Sequence, residues 1–345
     1  MKKLLFGLWV LCFIRCGDVL PTGEAAPRSV PVIMDGGYAT VLADDGKAYA
    51  VSPPGKSGAV VTPLPIDRPY AVGEKCVIDK AGKLWGYLPN SPDKVEHISL
   101  AKPVKKYVSF GNYDLLLFND GTLSLLFPAM LGMPSVPNAQ GKHLERVDLT
   151  SFPPLQDAVA GGKDSEMYIL GLDASGGVHI AGGDRRGTIS YLLPGKTDTF
   201  LTKAIKVPGL PPIKRIGKLD PAYFPCAIDA SGTVHYWQGH KSIPTEIQQL
   251  DQTATYVHGG RLRTPEGATY RTKFSADRQS ATLEPVGPND YPEGHLLWRT
   301  KDYSLQRYGI GPAGELVFGE ADLYNKKPPA LEAVPDLHVD LSFFQ

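Results

Sequence analysis

The sequence holds little that marks a catalyst. It has no paired histidines at metal-binding spacing, no Cys-x-x-Cys and no ladder of calcium-loop carboxylates, so the local signatures of zinc, redox and calcium sites are missing. Cysteine is scarce, four in 345 residues, and Cys12 and Cys16 fall in or beside the N-terminal apolar run. Net charge is absent too. Lys+Arg and Asp+Glu both total 36, which gives no field to draw the protein onto nucleic acid or anionic lipid. The longest apolar run, Leu4 to Ile14, is too short to span a bilayer. No catalytic residue, cofactor or metal site is assigned.

What is plentiful is punctuation. The 37 glycines and 31 prolines break a chain of moderate hydrophobicity into short elements, because neither residue is tolerated inside long helices. The expected class is all-β. The clearest element runs from Cys226 to Trp237: the apolar Cys226-Ala227-Ile228, the turn residues Asp229 to Gly232, then β-branched and aromatic residues at alternate positions from Thr233 onward. This is the pattern of two paired strands.

Copies of this hairpin recur along the chain. They lie at Gly36 to Tyr49 with Asp45-Gly46, at Val72 to Gly86 with Gly82, at Val108 to Leu123 with Asp120-Gly121, and at Val159 to His179 with Asp173-Ala174-Ser175-Gly176. After the copy at Cys226, a sixth spans Val257 to Tyr270 and a seventh ends in Gly311 to Gly319. The turn glycines are spaced by roughly 35 to 56 residues, the range of propeller blades with insertions. Pro63 to Asp67, Pro208 to Pro212 and Lys327 to Pro335 read as exposed connectors between copies. Val339 to Phe344 alternates like a strand, and is expected to complete a unit begun near Val30 to Ile33 and so tie the chain ends together.

The N-terminus has a signal-peptide pattern, Lys2-Lys3 followed by an apolar stretch of h-region length. Cleavage before Ala26, after the small residues Gly23 and Ala25, leaves a soluble product spanning 26–345. The alternative is a lipoprotein signal over 1–15 with Cys16 lipidated, although Arg15 occupies a place where such signals carry a small residue. Either way the protein is expected to be exported, to the periplasm, the cell envelope or the medium, and membrane association is expected only through that anchor. Cys76 and Cys226 occupy the same place in their copies and read as small buried hydrophobes.

The eight histidines are scattered. His179 and His235 follow Gly-x-Val in two copies, which the repeat explains better than catalysis does. Gly161-Gly162-Lys163 and Gly182 to Gly187 are glycine-rich but do not open a helix after a strand, so turns account for them. Within the second of these stretches Arg185 and Arg186, with Tyr191 shortly after, are the residue types favoured as interface anchors. They are the candidate partner-binding residues.

The copies resemble the RCC1-type repeat (regulator of chromosome condensation), which runs from a glycine through an Ala-Leu strand to Asp-Gly, Val and Trp-Gly. The match is best at Ala227-Ile228, Ser231-Gly232, Val234 and Trp237, then at Gly82, Leu84, Trp85 and Gly86. The chain departs from it in lacking most of the histidines that follow the first glycine, and in carrying Gln238 where the last glycine belongs. The resemblance implies a seven-bladed β-propeller, one closed domain, that binds a protein partner through loops. The reading is therefore an exported, monomeric, non-enzymatic binding propeller. An enzyme acting on glycans, with carboxylates or a tyrosine and histidine at the central mouth, and a glycan-binding lectin are the alternatives.

Overall fold

The computed structural model describes residues 32–35, 38–52, 59–88, 91–110, 113–128, 144–161, 168–182, 204–219, 224–237, 246–258, 261–275, 280–285, 296–299, 306–311, 313–320 and 332–340. Every regular element among them is a β-strand. The strands form seven four-stranded sheets in chain order. Sheet 1 holds β1 (Val32–Asp35), β2 (Tyr38–Leu42), β3 (Ala48–Val51) and β4 (Val61–Pro63); sheet 2 holds β5 (Pro69–Gly73), β6 (Cys76–Asp79), β7 (Leu84–Leu88) and β8 (Ser91–Ile98). Sheet 3 is β9 (Val104–Phe110), β10 (Tyr113–Phe118), β11 (Leu123–Pro128) and β12 (Leu144–Asp148), and sheet 4 is β13 (Leu155–Gly161), β14 (Tyr168–Asp173), β15 (Val178–Gly182) and β16 (Ile205–Lys206). Sheet 5 comprises β17 (Ile213–Lys218), β18 (Pro225–Asp229), β19 (Thr233–Tyr236) and β20 (Gln248–Thr253). Sheet 6 comprises β21 (Tyr256–His258), β22 (Arg261–Arg263), β23 (Thr269–Phe274) and β24 (Ala281–Pro285); sheet 7 comprises β25 (Leu296–Arg299), β26 (Gln306–Ile310), β27 (Glu315–Glu320) and β28 (Glu332–His338).

The repeated hairpin is the middle pair of each sheet, and its apolar run follows from its position. The second strands are covered on both faces, so β6, β14 and β18 carry almost unbroken buried residues. Alternate side chains serve different neighbours: Leu170 and Leu172 of β14 pack towards sheet 5, and Ile169, just before them, packs towards sheet 3. Apolar clusters of this kind fill the spaces between sheets 1 and 2, 2 and 3, 3 and 4, 4 and 5, and 5 and 6. Another joins Ala39, Val41 and Val51 of sheet 1 to Ile310, Leu316 and Val334 of sheet 7. Stacking sheet on sheet in this propeller-like way buries faces that a lone hairpin would leave wet.

Antiparallel pairing throughout gives every sheet two unlike ends. At one, the turn end, lie the tight turns between second and third strands, each with a glycine at positive φ (Gly46, Gly82, Gly121, Gly176, Gly232, Gly267 and Gly314) whose N–H is donated to the carbonyl three residues back. At the other, the loop end, the third strand leaves and the fourth returns. The chain between them varies from 89–90 in sheet 2 to 183–204 in sheet 4.

The turn end is also stitched from sheet to sheet. The glycine carbonyl accepts from the opening residue of the next sheet's first strand, Val104 to Gly82 at 2.7 Å, Leu155 to Gly121 at 2.9 Å and Ile213 to Gly176 at 2.9 Å, and Ala254, two residues before β21, donates to Gly232 at 2.8 Å. Four first strands also bulge by one residue. In β5, β9, β13 and β17, Pro69, Val104, Leu155 and Ile213 pair with Asp79, Phe118, Asp173 and Asp229, one residue is skipped, and pairing resumes at Ala71, Lys106, Asp157 and Arg215.

Sheet 1 takes its opening residue from the other end of the chain. Val339 bridges Ala43 and donates its N–H to Gly314 O at 2.7 Å, as Leu155 does to Gly121. His338 O accepts Asp44 N–H at 3.0 Å, as Arg68 O accepts Lys80 N–H and Pro103 O accepts Asn119 N–H. The expected tie between the chain ends is seen as a single bridge from Val339 to Ala43; the expected continuation at 341–344 lies outside the described residues.

Two expectations about proline need correction. In the first connector Leu64 and Ile66 are buried and join the core between sheets 1 and 2, while Pro63, Pro65 and Asp67 face out, so this segment is half core. Pro335 is not in a connector but inside β28, with Val334 beside it buried. A fourth strand has no partner on its outer side, so proline's missing donor costs no ladder bond there.

Candidate functional site

Carboxylates of several tight turns are occupied by hydrogen bonds. Asp173 Oδ1 accepts the Ser175 hydroxyl and the N–H groups of Ser175 and Gly177, and Oδ2 lies 2.8 Å from His179 Nε2. Asp229 repeats this with Ser231, Thr233 and His235 Nε2, the last at 2.9 Å. In sheet 2 Asp79 accepts from Ala81 and Lys83, and Trp85 Nε1 takes the histidine's place at 3.0 Å. Sheet 1 moves the carboxylate to the other side of the turn, where Asp45 accepts from Tyr49 OH at 2.7 Å. One device thus recurs, a carboxylate that caps the turn and holds the ring on the third strand.

Electrostatics follow from these bonds. Burial by itself would raise the Asp229 carboxyl, but the Ser231 hydroxyl, the His235 ring and the Thr233 and Ser231 amides outweigh it and hold the group at about 2. Asp173 is held still lower by the same balance, with desolvation opposed by Ser175, His179 and Gly177. The bond to Asp45 pushes the Tyr49 hydroxyl up to about 12. His179 and His235 are therefore ring partners of structural carboxylates, as the repeat pattern suggested.

Cys76 and Cys226 are free and fully buried in equivalent strands of sheets 2 and 5. Burial, and for Cys76 also the charges of Asp114 and Glu74, drives both thiols far above their ordinary value, the opposite of what a nucleophile needs. No group of three or more His, Cys, Asp or Glu is placed to hold a metal ion among the described residues.

A further position on the first strands, two residues after Pro69, Val104, Leu155, Ile213 and Ala254, is polar in all but the first. In successive sheets it is Ala71, Lys106, Asp157, Arg215 and, two residues after Ala254, Tyr256. Lys106 Nζ meets Asp157 Oδ1 at 2.6 Å, with the two side chains only 17% and 6% exposed. That oxygen also accepts the Ala158 N–H at 2.8 Å. Arg215 Nη1 donates to Thr255 O of the next sheet at 3.0 Å. Burial lowers the Arg215 guanidinium, against the pull of Tyr256 and Asp157, and raises the Tyr256 hydroxyl far above normal. Lys105, the bulged residue of β9, is half-buried and is likewise lowered by desolvation, which Asp157 opposes. The row concentrates positive charge beside one carboxylate; it contains no nucleophile-and-base pair.

Sequence reasoning did not single out this row. Its members lie far apart in the chain, and the signal that finds them is the shared offset from Val104, Leu155 and Ile213, which register supplies. The residues that sequence reasoning did choose, Arg185, Arg186 and Tyr191, lie in the segment joining β15 to β16, outside the described residues. Cys16 and the leader 1–25 lie outside them as well. Gly161 ends β13 and Gly182 ends β15, and the turns expected at 162–163 and 183–187 lie outside the described residues.

No family model matches the chain, and no curated protein matches it. Solved structures do. Yeast RCC1 (Prp20) bound to Kap60 is 15% identical over 61% of this chain and 59% of that one, TM-score 0.39, so the chain spans about three-fifths of the Prp20 chain. Human WBSCR16 is 13% identical over 88% of this chain and 81% of its own, TM-score 0.46. PorZ of Porphyromonas gingivalis, described as a bacterial surface component of the type-IX secretion system, is 14% identical over 90% of this chain and 38% of its own, TM-score 0.48. No activity passes from them to this chain.

Proposed function

We propose that this chain is an exported, non-enzymatic, seven-bladed β-propeller of RCC1-like type that binds a protein partner through the connectors at its loop end. The observation that supports this is the unequal treatment of the two ends. Turns at one end are uniform and spend their polar groups on each other, while the chain at the other end is free to vary in length and composition, as recognition loops on a rigid scaffold do. Arg185, Arg186 and Tyr191 fall in the longest of the connectors between third and fourth strands, 183–204. Ring closure has the Val339 bridge and the core shared by sheets 1 and 7 in its favour.

The test is capture. The chain from Ala26 onward is immobilised and exposed to the envelope and extracellular fractions of its source, and retained proteins and glycans are identified by mass spectrometry. One protein held in fixed proportion, and lost on Arg185→Ala with Arg186→Ala, supports the reading. Retention abolished by free sugar, or turnover of a glycan, replaces it with the lectin or the enzyme. Fractionation of cells making the wild type and Cys16→Ala separates cleavage before Ala26 from lipid anchoring.

A further inference from the structure

We propose that the first strands of sheets 3, 4 and 5 form an oxyanion-binding site, taking a carboxylate or phosphate group between Lys105, Lys106 and Arg215. Among the described residues Lys105, Lys106 and Arg215 gather around one carboxylate, Asp157, in a place where side chains are half or more buried. Withdrawing charge from water is costly unless opposite charge accompanies it, and an anion would balance the excess.

The fold itself does not ask for these cations. Sheet 2 builds the same bulge with Tyr70 skipped and Ala71 resuming the pairing, and sheet 4 skips Gln156. Charge at these positions is therefore specific to β9, β13 and β17 and is not part of the repeat. Lys214, skipped in β17, adds a further cation, and it is exposed.

The geometry also assigns unequal roles. Asp157, fixed by the Ala158 N–H, orients Lys106 at 2.6 Å. Lys105 makes no hydrogen bond or ion pair among the described residues, yet it is near enough to Asp157 and Lys106 to be affected by both charges. It is the ammonium available to a ligand, and Arg215, held by Thr255 O, brings the planar fork suited to a carboxylate or phosphate.

The experiment titrates the full chain with inorganic phosphate and, separately, with succinate at constant ionic strength, following heat and circular dichroism. Saturable binding of either probe is expected, and which of the two binds tells a phosphate from a carboxylate ligand. Lys105→Met should weaken it about tenfold, as loss of one charge-assisted hydrogen bond does. Asp157→Asn should tighten it, because the resident carboxylate competes with the ligand; a purely structural Asp157 would leave affinity unchanged and lower only stability. The proposal is overturned if neither probe binds the wild type, or if Lys105→Met, folded by circular dichroism, binds as the wild type does. This outcome is independent of the partner-capture test, which reads the opposite end of the strands.

Discussion

The two ends of the sheets obey different rules. At the turn end the same glycine, the same backbone bond and, in four sheets, a carboxylate holding the ring on the third strand recur, and at five turns a later segment of the chain leans on the glycine carbonyl. At the loop end the lengths differ, and the chain crosses from third to fourth strand by 89–90 in one sheet and 183–204 in another. The lesson is that the repeat in this sequence records packing between sheets, and the irregular intervals record where packing imposes nothing.

The hardest blow to the uniform end would be removal of residues 338–345. It deletes the Val339 bridge, three backbone bonds and the buried Val339 side chain. From about 2 kcal/mol for the side chain and about 1 for each bond, a loss of about 5 kcal/mol is expected in urea unfolding. A second break compares two turns. Gly176 has φ +81° and a Cβ there would sit 2.8 Å from Ile213 N, whereas Gly46 has φ +78° with nothing within 4 Å. Pro69, which opens sheet 2, has no N–H to bring against Gly46. Gly176→Ala should therefore cost about 3 kcal/mol and Gly46→Ala about 1 by thermal denaturation.

Acid should loosen the same end. The Asp229 carboxyl is depressed from 3.8 to about 2 in the folded chain, so its contribution is complete above about pH 4 and fades as pH falls towards 2. Asp229→Asn is expected to flatten the stability profile in that window and to leave its slope above pH 5 untouched, measured by urea unfolding at stepped pH. The smallest effect belongs to the loop end. Four Gly-Ser residues inserted between Pro89 and Asn90 should change stability by about 0.5 kcal/mol or less, since loop closure grows slowly with length. The same insertion between Asp45 and Gly46 should cost several times more.

The sequence shows the hairpins well because each tight turn needs a glycine and each second strand is covered on both faces. Cys226 to Trp237 carries both signals, and the strands there end within a residue of where the pattern places them. Fourth strands are nearly silent: β8 and β20 are mostly exposed and polar, and Pro335 inside β28 reads as a connector because an outer edge tolerates what an inner strand would not. The charged row was illegible for another reason. Lys106, Asp157 and Arg215 are neighbours only through bulges in three separate first strands, and a bulge leaves no composition of its own.

The Val339 bridge sets an order of events. Sheets 2 to 5 are built from segments close in sequence and can pair as soon as they exist, but the opening position of sheet 1 stays vacant until almost the whole chain is present. Until then Leu42 to Asp44 offers an unpaired strand edge, the kind of surface at which incomplete chains associate with one another. Folding of this protein should end at its beginning, with the return of residue 339 to residue 43.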